Sequence, residues 1–236
     1  MNRSLRKIRY KLRRLFSPPL PEIIVAVRND KLSYLSKAAL EDLYKRVCEI
    51  EKKELPGMII EAGCALGGSA IVMAMAKSVS RPMFVYDVFG MIPPPTDNDG
   101  EDVQQRYNEI VGGNSEGIKG ERYYGYEDNL CDKVVENFAR HDVPVQQNNV
   151  HLVKGLFEDT LKVEGPVALA HIDGDWYSSV MVCLEQIEPK LVSGGVMVID
   201  DYKSWSGCRK AVDEYFADKK ALYRFQYKSR LHIIKR

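Results

Sequence analysis

The sequence has few of the features that mark membrane, secreted or nucleic-acid-binding proteins. No apolar run approaches the roughly 18 residues that a helix needs to cross a bilayer, and no signal-peptide h-region is present. The five cysteines are scattered and form no CxxC pair, which is typical of reduced thiols in a cytosolic protein. A net charge of +1 argues against a dedicated nucleic-acid binder. We therefore expect a cytoplasmic protein that does not bind nucleic acid.

The balanced net charge conceals a basic segment at the start of the chain. Residues 1–16 carry seven basic residues and no acidic residue. Apolar residues recur there at helical spacing, which predicts an amphipathic helix over residues 3–16, followed by a proline-rich linker up to residue 21. Such a helix could bind a membrane surface or a partner protein, or it could pack on its own domain or a second copy. A mitochondrial transit peptide is the least favoured interpretation.

The clearest pattern in the chain is a βαβ unit over residues 166–202. Two apolar runs, predicted as buried parallel strands, are joined by a segment whose apolar residues recur at helical spacing. Asp173 and Asp175 follow the first strand, and Asp200 and Asp201 follow the second. All four carboxylates should meet at the carboxyl edge of one sheet, where open α/β folds bind ligands. Carboxylates gathered there repel one another unless a cation neutralises them, and a hard divalent metal ion is the simplest cation to do so.

A glycine-rich turn follows an earlier strand of the same kind. Residues 61–69 read EAGCALGGS, which matches neither the GxGxxG dinucleotide fingerprint nor the GxxxxGK[ST] P-loop. An acidic residue, Glu61, just before GxxxGGS resembles the first motif of S-adenosylmethionine methyltransferases. Asp87 ends the next strand, where ribose hydroxyls are bound in such folds. A tight turn without a ligand is the alternative interpretation.

Residues 88–126 are the least regular part of the sequence. This glycine-rich stretch is either a lid over the ligand edge or a mobile surface loop. Its tyrosines 123, 124 and 126 could stack on a sugar or aromatic substrate, or could pack beneath the loop. Elsewhere we predict helices over 36–53, 71–77, 101–111, 130–141, 180–191 and 208–216, and strands over 58–62, 83–86, 150–154, 167–172, 196–199, 222–227 and 231–234.

From about residue 22 to the C-terminus, the chain resembles the macrocin O-methyltransferase family, which methylates sugar hydroxyls on antibiotics such as tylosin, mycinamicin and novobiocin. The segments that carry the resemblance are, in order, residues 61–69, DVFGMIP (87–93), GLFEDTL (155–161), DGDWY (173–177), DDY (200–202) and CRKAVDEY (208–215). The resemblance implies a class I S-adenosylmethionine-dependent methyltransferase (Rossmann-like) fold, with a mostly parallel seven-stranded α/β sheet and a C-terminal antiparallel hairpin. It also implies two cofactors, S-adenosylmethionine and Mg²⁺. The domain would span residues 22–236, with a lid insertion at about 90–126.

The resemblance also assigns roles to single residues. It implies that Asp173 is the catalytic base and a metal ligand, together with Asp200 and Asp201. The residues implied in cofactor binding are Ser33, Glu61, Gly63, Ser69, Asp87, Phe157 and Asp173. Asp175 is expected to cap the following helix, and His171 is expected to be a buried histidine beneath the sheet edge. Relatives associate through N-terminal helices and lids, which predicts a homo-oligomer.

The predicted reaction is methyl transfer to a hydroxyl of a vicinal diol on a sugar of a glycosylated natural product or glycan. A catechol-type O-methyltransferase is the alternative enzyme, although the second acidic pair of such enzymes is usually Asp-Asn rather than Asp200-Asp201. An alternative of another class is a non-catalytic S-adenosylmethionine-binding partner in a glycan assembly complex. Because the insertion does not follow the antibiotic-modifying enzymes closely, the sequence leaves the acceptor open.

Overall fold

The computed structural model describes residues 20–236, with side chains from residue 22 onward. The predicted basic helix over 3–16 and the first prolines of the predicted linker lie outside this part of the chain. Within residues 20–236, no helix combines the length and the apolar character that a bilayer span requires.

A seven-stranded sheet forms the centre of the domain, as predicted. Its strands are β1 (Met58–Ala62), β2 (Met83–Asp87), β3 (Val150–Lys154), β4 (Val167–Ile172), β5 (Leu191–Ile199), β6 (Tyr223–Tyr227) and β7 (Leu231–Lys235). They lie in the order β3-β2-β1-β4-β5-β7-β6. Strand β7 is antiparallel to both of its neighbours, and the other pairs are parallel. The predicted βαβ unit and the C-terminal hairpin are therefore confirmed.

Eight α-helices surround the sheet in the described part of the chain. They are α1 (Leu20–Asn29), α2 (Lys37–Lys52), α3 (Gly68–Ala76), α4 (Glu101–Val111), α5 (Leu130–Arg140), α6 (Phe157–Thr160), α7 (Tyr177–Ile187) and α8 (Ser206–Tyr215). The hydroxyl of Ser36 caps α2 by accepting a hydrogen bond from the Ala39 amide at 3.2 Å. His141 ends α5, and its Nδ1 lies 3.0 Å from the Asn137 carbonyl oxygen.

Several predicted boundaries differ from the structure, two of them clearly. The linker was expected to reach residue 21, but Pro21 lies in the first turn of α1, where a proline is tolerated because its missing N–H would have no helical partner. The helix predicted over 180–191 ends at Ile187, and the strand predicted over 196–199 begins at Leu191, so Gly194 and Gly195 lie inside β5. The pairing of β5 with β4 shifts register between Val167 and Leu169, so the glycines fall at an irregularity of the strand.

Both faces of the sheet are buried, which explains the continuous apolar runs of its parallel strands. The face of the sheet that carries Ile59 packs against helices of the N-terminal half, mainly α1, α2, α3 and α5. The opposite face, which carries Ile60, packs against α7 and α8. Polar side chains occur on the first face near the carboxyl ends of the strands, where Glu61 lies beside His171 in the register of β1 and β4.

The insertion at residues 88–126 lies over the carboxyl edge of the sheet and is anchored to the starts of two helices. Asp99 Oδ1 accepts a hydrogen bond from the Tyr177 amide at 2.7 Å. Asp102 Oδ2 accepts one from the Ser206 amide at 2.9 Å, and Trp176 Nε1 donates to the Pro93 carbonyl oxygen at 3.0 Å. These contacts with α7 and α8 place the insertion as a cover on the ligand edge.

Candidate functional site

A pocket of about 300 Å³ opens at the carboxyl edge of the sheet, between the strand ends and the insertion. Its lining includes the glycine turn after β1, the acids after β2, β4 and β5, the start of α6, and aromatic residues of the insertion. The elements that the sequence predicted to meet at this edge therefore do meet in one cavity.

Gly63 lets the turn after β1 approach the end of β4 closely. Its φ is +87°, and a Cβ atom at this position would lie 2.1 Å from the carbonyl oxygen of Asp173. A larger residue would be excluded both by the backbone conformation and by this contact. Gly63 thus keeps the glycine turn and Asp173 side by side in the pocket.

Asp87 binds the backbone of the glycine turn. Its Oδ2 accepts hydrogen bonds from the amides of Cys64 at 2.7 Å and Ala65 at 3.2 Å, and its Oδ1 accepts one from Phe89 at 2.7 Å. Burial raises the pKa of Asp87 despite these bonds. Asp87 thus fixes the shape of the glycine turn, and it lines the pocket.

Glu61 and Ser69 lie one layer behind the pocket surface. Both are buried, and the Ser69 hydroxyl donates a hydrogen bond to Glu61 Oε1. Nδ1 of His171 lies 3.2 Å from the same oxygen. The structure therefore places these two predicted cofactor residues as supports of the turn, and their contact with a cofactor stays a prediction.

Ser33 and Phe157 complete the set of predicted cofactor residues. Ser33 packs against the start of α3, where a Cβ on Gly68 would lie 2.6 Å from the Ser33 Cβ. Its hydroxyl accepts a hydrogen bond from the Leu35 amide at 3.1 Å. Phe157 begins α6 and lines the pocket directly. Ser33 is thus close to the glycine turn, and the ring of Phe157 faces the cavity.

Three carboxylates converge in the pocket, those of Asp173, Asp175 and Asp201. Each offers one oxygen, and these oxygens all lie within 4.8 Å of one another. Burial raises the pKa values of Asp173 and Asp175 well above their usual range, and the neighbouring acids raise them further. Oxygen ligands at this spacing suit a hard divalent cation such as Mg²⁺, so the donor set fits the metal that the resemblance implies.

The predicted capping role of Asp175 is wrong. The N-cap position of α7 is Trp176, and it makes no side-chain capping hydrogen bond. The first amide of the helix, that of Tyr177, is bound instead by Asp99 of the insertion. Asp175 has a φ of +58°, and its carboxylate joins the cluster with Asp173 and Asp201.

Asp200, the third predicted metal ligand, has cationic partners. Its Oδ1 accepts a hydrogen bond from Arg230 Nε at 2.6 Å and lies 3.5 Å from His171 Nε2. Burial raises the pKa of Asp200, but His171 and Arg230 outweigh this effect and hold it below its usual range. The structure brings Asp200 beside the cluster without placing it among the three converging oxygens, and its role as a ligand stays a prediction.

His171 is buried beneath the cluster, as predicted, and it carries charge. Burial lowers its pKa, but Glu61 and Asp200 outweigh that effect and raise the pKa to about 10. At neutral pH the protonated imidazole therefore lies between two carboxylates. Together His171 and Arg230 provide two positive charges beside the acids, and a divalent ion would balance two more negative charges.

Aromatic side chains form the walls above the acids. Tyr123 and Tyr124 form one pair with ring centres 4.5 Å apart, and Trp176 and Trp205 form another at 5.8 Å; all four line the pocket. Trp205 donates a hydrogen bond to Asp175. The sequence prediction missed Trp205, Arg106 and Arg230 as lining residues, because no motif marks these side chains and only the fold brings their segments to the pocket.

A family model described as Macrocin-O-methyltransferase (TylF) matches residues 30–224 of the chain. The chain belongs to the macrocin O-methyltransferase family. It is 29% identical over 188 residues to demethyldecarbamoylnovobiocin O-methyltransferase of Streptomyces niveus, covering 75% of this chain and 65% of that protein. It is 31% identical over 195 residues to an 8-demethyl-8-(2,3-dimethoxy-alpha-L-rhamnosyl)-tetracenomycin-C 4'-O-methyltransferase of Streptomyces olivaceus, covering 80% of this chain and 64% of that protein.

The solved structure of the O-methyltransferase NovP has the same fold as this member of the macrocin O-methyltransferase family. The two superpose with a TM-score of 0.72 at 24% identity, covering 87% of this chain and 82% of that chain. The class I methyltransferase fold is therefore confirmed. The matched regions span just under two thirds of the length of the two Streptomyces relatives.

Proposed function

We propose that the protein is an S-adenosylmethionine- and Mg²⁺-dependent O-methyltransferase that acts on a hydroxyl of a vicinal diol, on a sugar of a glycosylated natural product or glycan. The observation that carries this proposal is the presence of the glycine turn and the carboxylate cluster in one pocket. Membership of the macrocin O-methyltransferase family and the sugar-modifying relatives support it.

The methyl donor would bind along the glycine turn. Gly63 brings the turn against Asp173, the Asp87 carboxylate lines the pocket where ribose hydroxyls would bind, and Phe157 offers an aromatic surface for adenine. Ser33, Glu61 and Ser69 hold the turn from behind. Because the sulfonium donor releases a neutral thioether, which is already a good leaving group, the main task of these residues is to align donor and acceptor.

The acceptor diol would lie at the carboxylate cluster. Asp173, Asp175 and Asp201 would hold the Mg²⁺, with Asp200 as a further ligand that Arg230 keeps in place. When bound, Mg²⁺ lowers the pKa of a hydroxyl that it contacts, as metal ions do for water. The chemistry thus requires a base next to the metal site.

Asp173 is the residue that we assign as this base. Its carboxylate is one of the three that converge where the diol would bind, so it would lie within reach of the hydroxyl proton. Its backbone is fixed against Gly63, so its position relative to the donor is also fixed. Asp173 would accept the hydroxyl proton at one carboxylate oxygen as the methyl group is transferred.

A turnover assay tests the proposal. Purified protein is incubated with S-adenosylmethionine and deoxysugar conjugates, nucleotide sugars or catechols, with Mg²⁺ or with excess chelator. We expect turnover on a sugar diol that chelator and Asp173→Ala both abolish. Full activity in chelator would reject the metal mechanism, and a preference for catechols would favour the alternative enzyme. S-adenosylhomocysteine binding by calorimetry without turnover on any diol would favour a non-catalytic partner.

A further inference from the structure

We propose that the acceptor carries an anionic group, a phosphate or a carboxylate, next to the sugar that is methylated, and that Arg106 binds this group. The inference rests on the proposed function, because it concerns the acceptor side of the same pocket. The inference gives Arg106 a role in substrate specificity. Arg106 belongs to the insertion and takes no part in the chemistry of the carboxylates.

Arg106 brings a positive charge into a pocket that is otherwise acidic. Among the lining residues that the structure describes, the cationic side chains are Arg106 and Arg230. Arg230 is bound to Asp200 at 2.6 Å. Arg106 lies on α4, with its guanidinium carbon 5.8 Å from the centre of the Tyr123 ring. It is therefore the cation available to an acceptor.

The guanidinium of Arg106 is held in a fixed position. Its Nη1 donates to Glu109 at 2.8 Å, and its Nη2 donates to the Ser115 hydroxyl at 2.8 Å. Ser115 is buried, and its amide donates to the hydroxyl of Tyr126, which in turn donates to the Ile110 carbonyl oxygen at 2.6 Å. A guanidinium has five N–H donors, and these contacts use two of them. Such a fixed group can bind a phosphate or carboxylate through its remaining donors.

Glu109 does not remove the need for an anionic ligand. About half of its side chain is exposed to solvent, and an ion pair in such a position is screened by water and worth little. An anion inside the pocket would instead meet Arg106 among the rings of Tyr34 and Tyr123, where less water competes for it. The pocket side of Arg106 is therefore the stronger binding position.

Arg106, Tyr123 and the acids line the same pocket. The pKa of Tyr123, raised to about 12 mainly by burial, responds to both kinds of charge, since Asp175 raises it and Arg106 lowers it. A diol can thus lie at the carboxylates while a negative charge lies at Arg106. A glycosyl phosphate, a nucleoside-diphosphate sugar or a uronic acid has this arrangement of groups.

Calorimetry on the protein loaded with S-adenosylhomocysteine and Mg²⁺ tests the inference without turnover. The ligands are the 1-phosphates, the methyl uronides and the neutral methyl glycosides of glucose, galactose and mannose. We expect at least one anionic member to bind tenfold or more tightly than its neutral counterpart. Preference for the phosphates or for the uronides identifies the source of the charge.

Variants of two lid arginines provide the decisive comparison. Arg106→Gln should abolish the preference for the anion, and Arg106→Lys should restore part of it. Arg122→Gln is the matched control, because Arg122 belongs to the same insertion and is 60% exposed. Equal affinity for anionic and neutral ligands, or a preference that survives in Arg106→Gln, would overturn the inference. If the protein turns over a sugar diol but binds anionic and neutral ligands equally, this inference alone is rejected. If it prefers the anionic ligands but turns over no diol, the proposed function alone is rejected.

Discussion

Helix α7 has an acid at each of its ends, the buried Glu188 and the partly buried Asp175, and the two acids have opposite surroundings. Glu188 follows the helix and accepts hydrogen bonds from Tyr215 at 2.9 Å, from Lys219 at 3.0 Å and from Tyr223. Asp175 precedes the helix and lies among other carboxylates, within 4.8 Å of oxygens from Asp173 and Asp201. At the Glu188 end, hydrogen-bond donors and a lysine surround the carboxylate, and we call this the matched end. At the Asp175 end, several carboxylates repel one another, and we call this the repelling end.

The pKa values report the same difference. At Glu188 burial raises the pKa, but Tyr223, Lys219 and Tyr215 outweigh burial and lower it below its usual range. At Asp175 burial and Asp201 both raise the pKa, and the hydrogen bond from Trp205 offsets only part of this. A matched carboxylate stabilises the fold, whereas a repelling cluster costs stability. Such a cluster indicates a ligand site, since perturbed groups in clefts are common at functional sites.

The largest effect should come from breaking the repelling cluster with Asp173→Asn. Loss of the proposed base is expected to reduce turnover by about 10³-fold, while the metal-free protein should become more stable at pH 7. The raised pKa of Asp173 contributes stability below about pH 4, and this is lost as pH rises through the folded-state pKa. The stability gain of the variant should therefore vanish near pH 4 and grow towards neutral pH, as urea unfolding at several pH values would show.

Asp218→Asn is the control for this variant, because Asp218 is exposed and should change neither turnover nor stability. An Asp173→Asn protein that keeps full activity, or that is less stable than the parent at pH 7 without metal, would contradict the distinction between the two ends of α7.

The next effect should come from Glu188→Gln at the matched end. Loss of the charge weakens its bonds to Tyr215, Lys219 and Tyr223, and we expect a cost of about 1–3 kcal/mol at pH 7 with unchanged turnover. Because the folded-state pKa of Glu188 is lowered, its contribution is present above about pH 4.3 and is lost as pH falls through the folded value. Thermal unfolding at pH 7 and at pH 3 measures both predictions. Glu185→Gln, on the exposed face of the same helix, should be neutral, and an equal cost for both variants would remove the special role of Glu188.

The fold was predictable because its signals are local. The predicted bounds of β1 and β4 agree with the structure, since a strand buried on both faces is a nearly continuous apolar run. The bounds of the partly exposed edge strand β3 agree as well. Helix α1 was missed because its first turn contains Pro21, and proline-rich sequence was interpreted as a linker. The homo-oligomer and the cytoplasmic location stay predictions.

The site was predictable only in part. The rule that parallel strands end at one edge brings Asp173, Asp200 and Asp201 together from sequence alone. Which carboxylates converge depends on contacts that sequence spacing does not show. Asp175 turns into the cluster through its positive φ, while Arg230 reaches Asp200 from the hairpin between β6 and β7.

The smallest effects should come from removing one hydrogen-bond donor at each end of α7. Tyr223→Phe removes one of three donors to Glu188 and should cost about 0.5–1.5 kcal/mol of stability, with no change in Mg²⁺ affinity. Trp205→Phe removes a donor to Asp175 and keeps an aromatic ring against Trp176. It should change stability by less than about 0.5 kcal/mol, but protons then compete better for Asp175, and Mg²⁺ affinity should fall roughly tenfold. Urea unfolding and Mg²⁺ calorimetry on both variants separate the two roles. If Tyr223→Phe weakens Mg²⁺ binding as much as Trp205→Phe does, the matched and repelling ends of the helix are one coupled network rather than two independent sites.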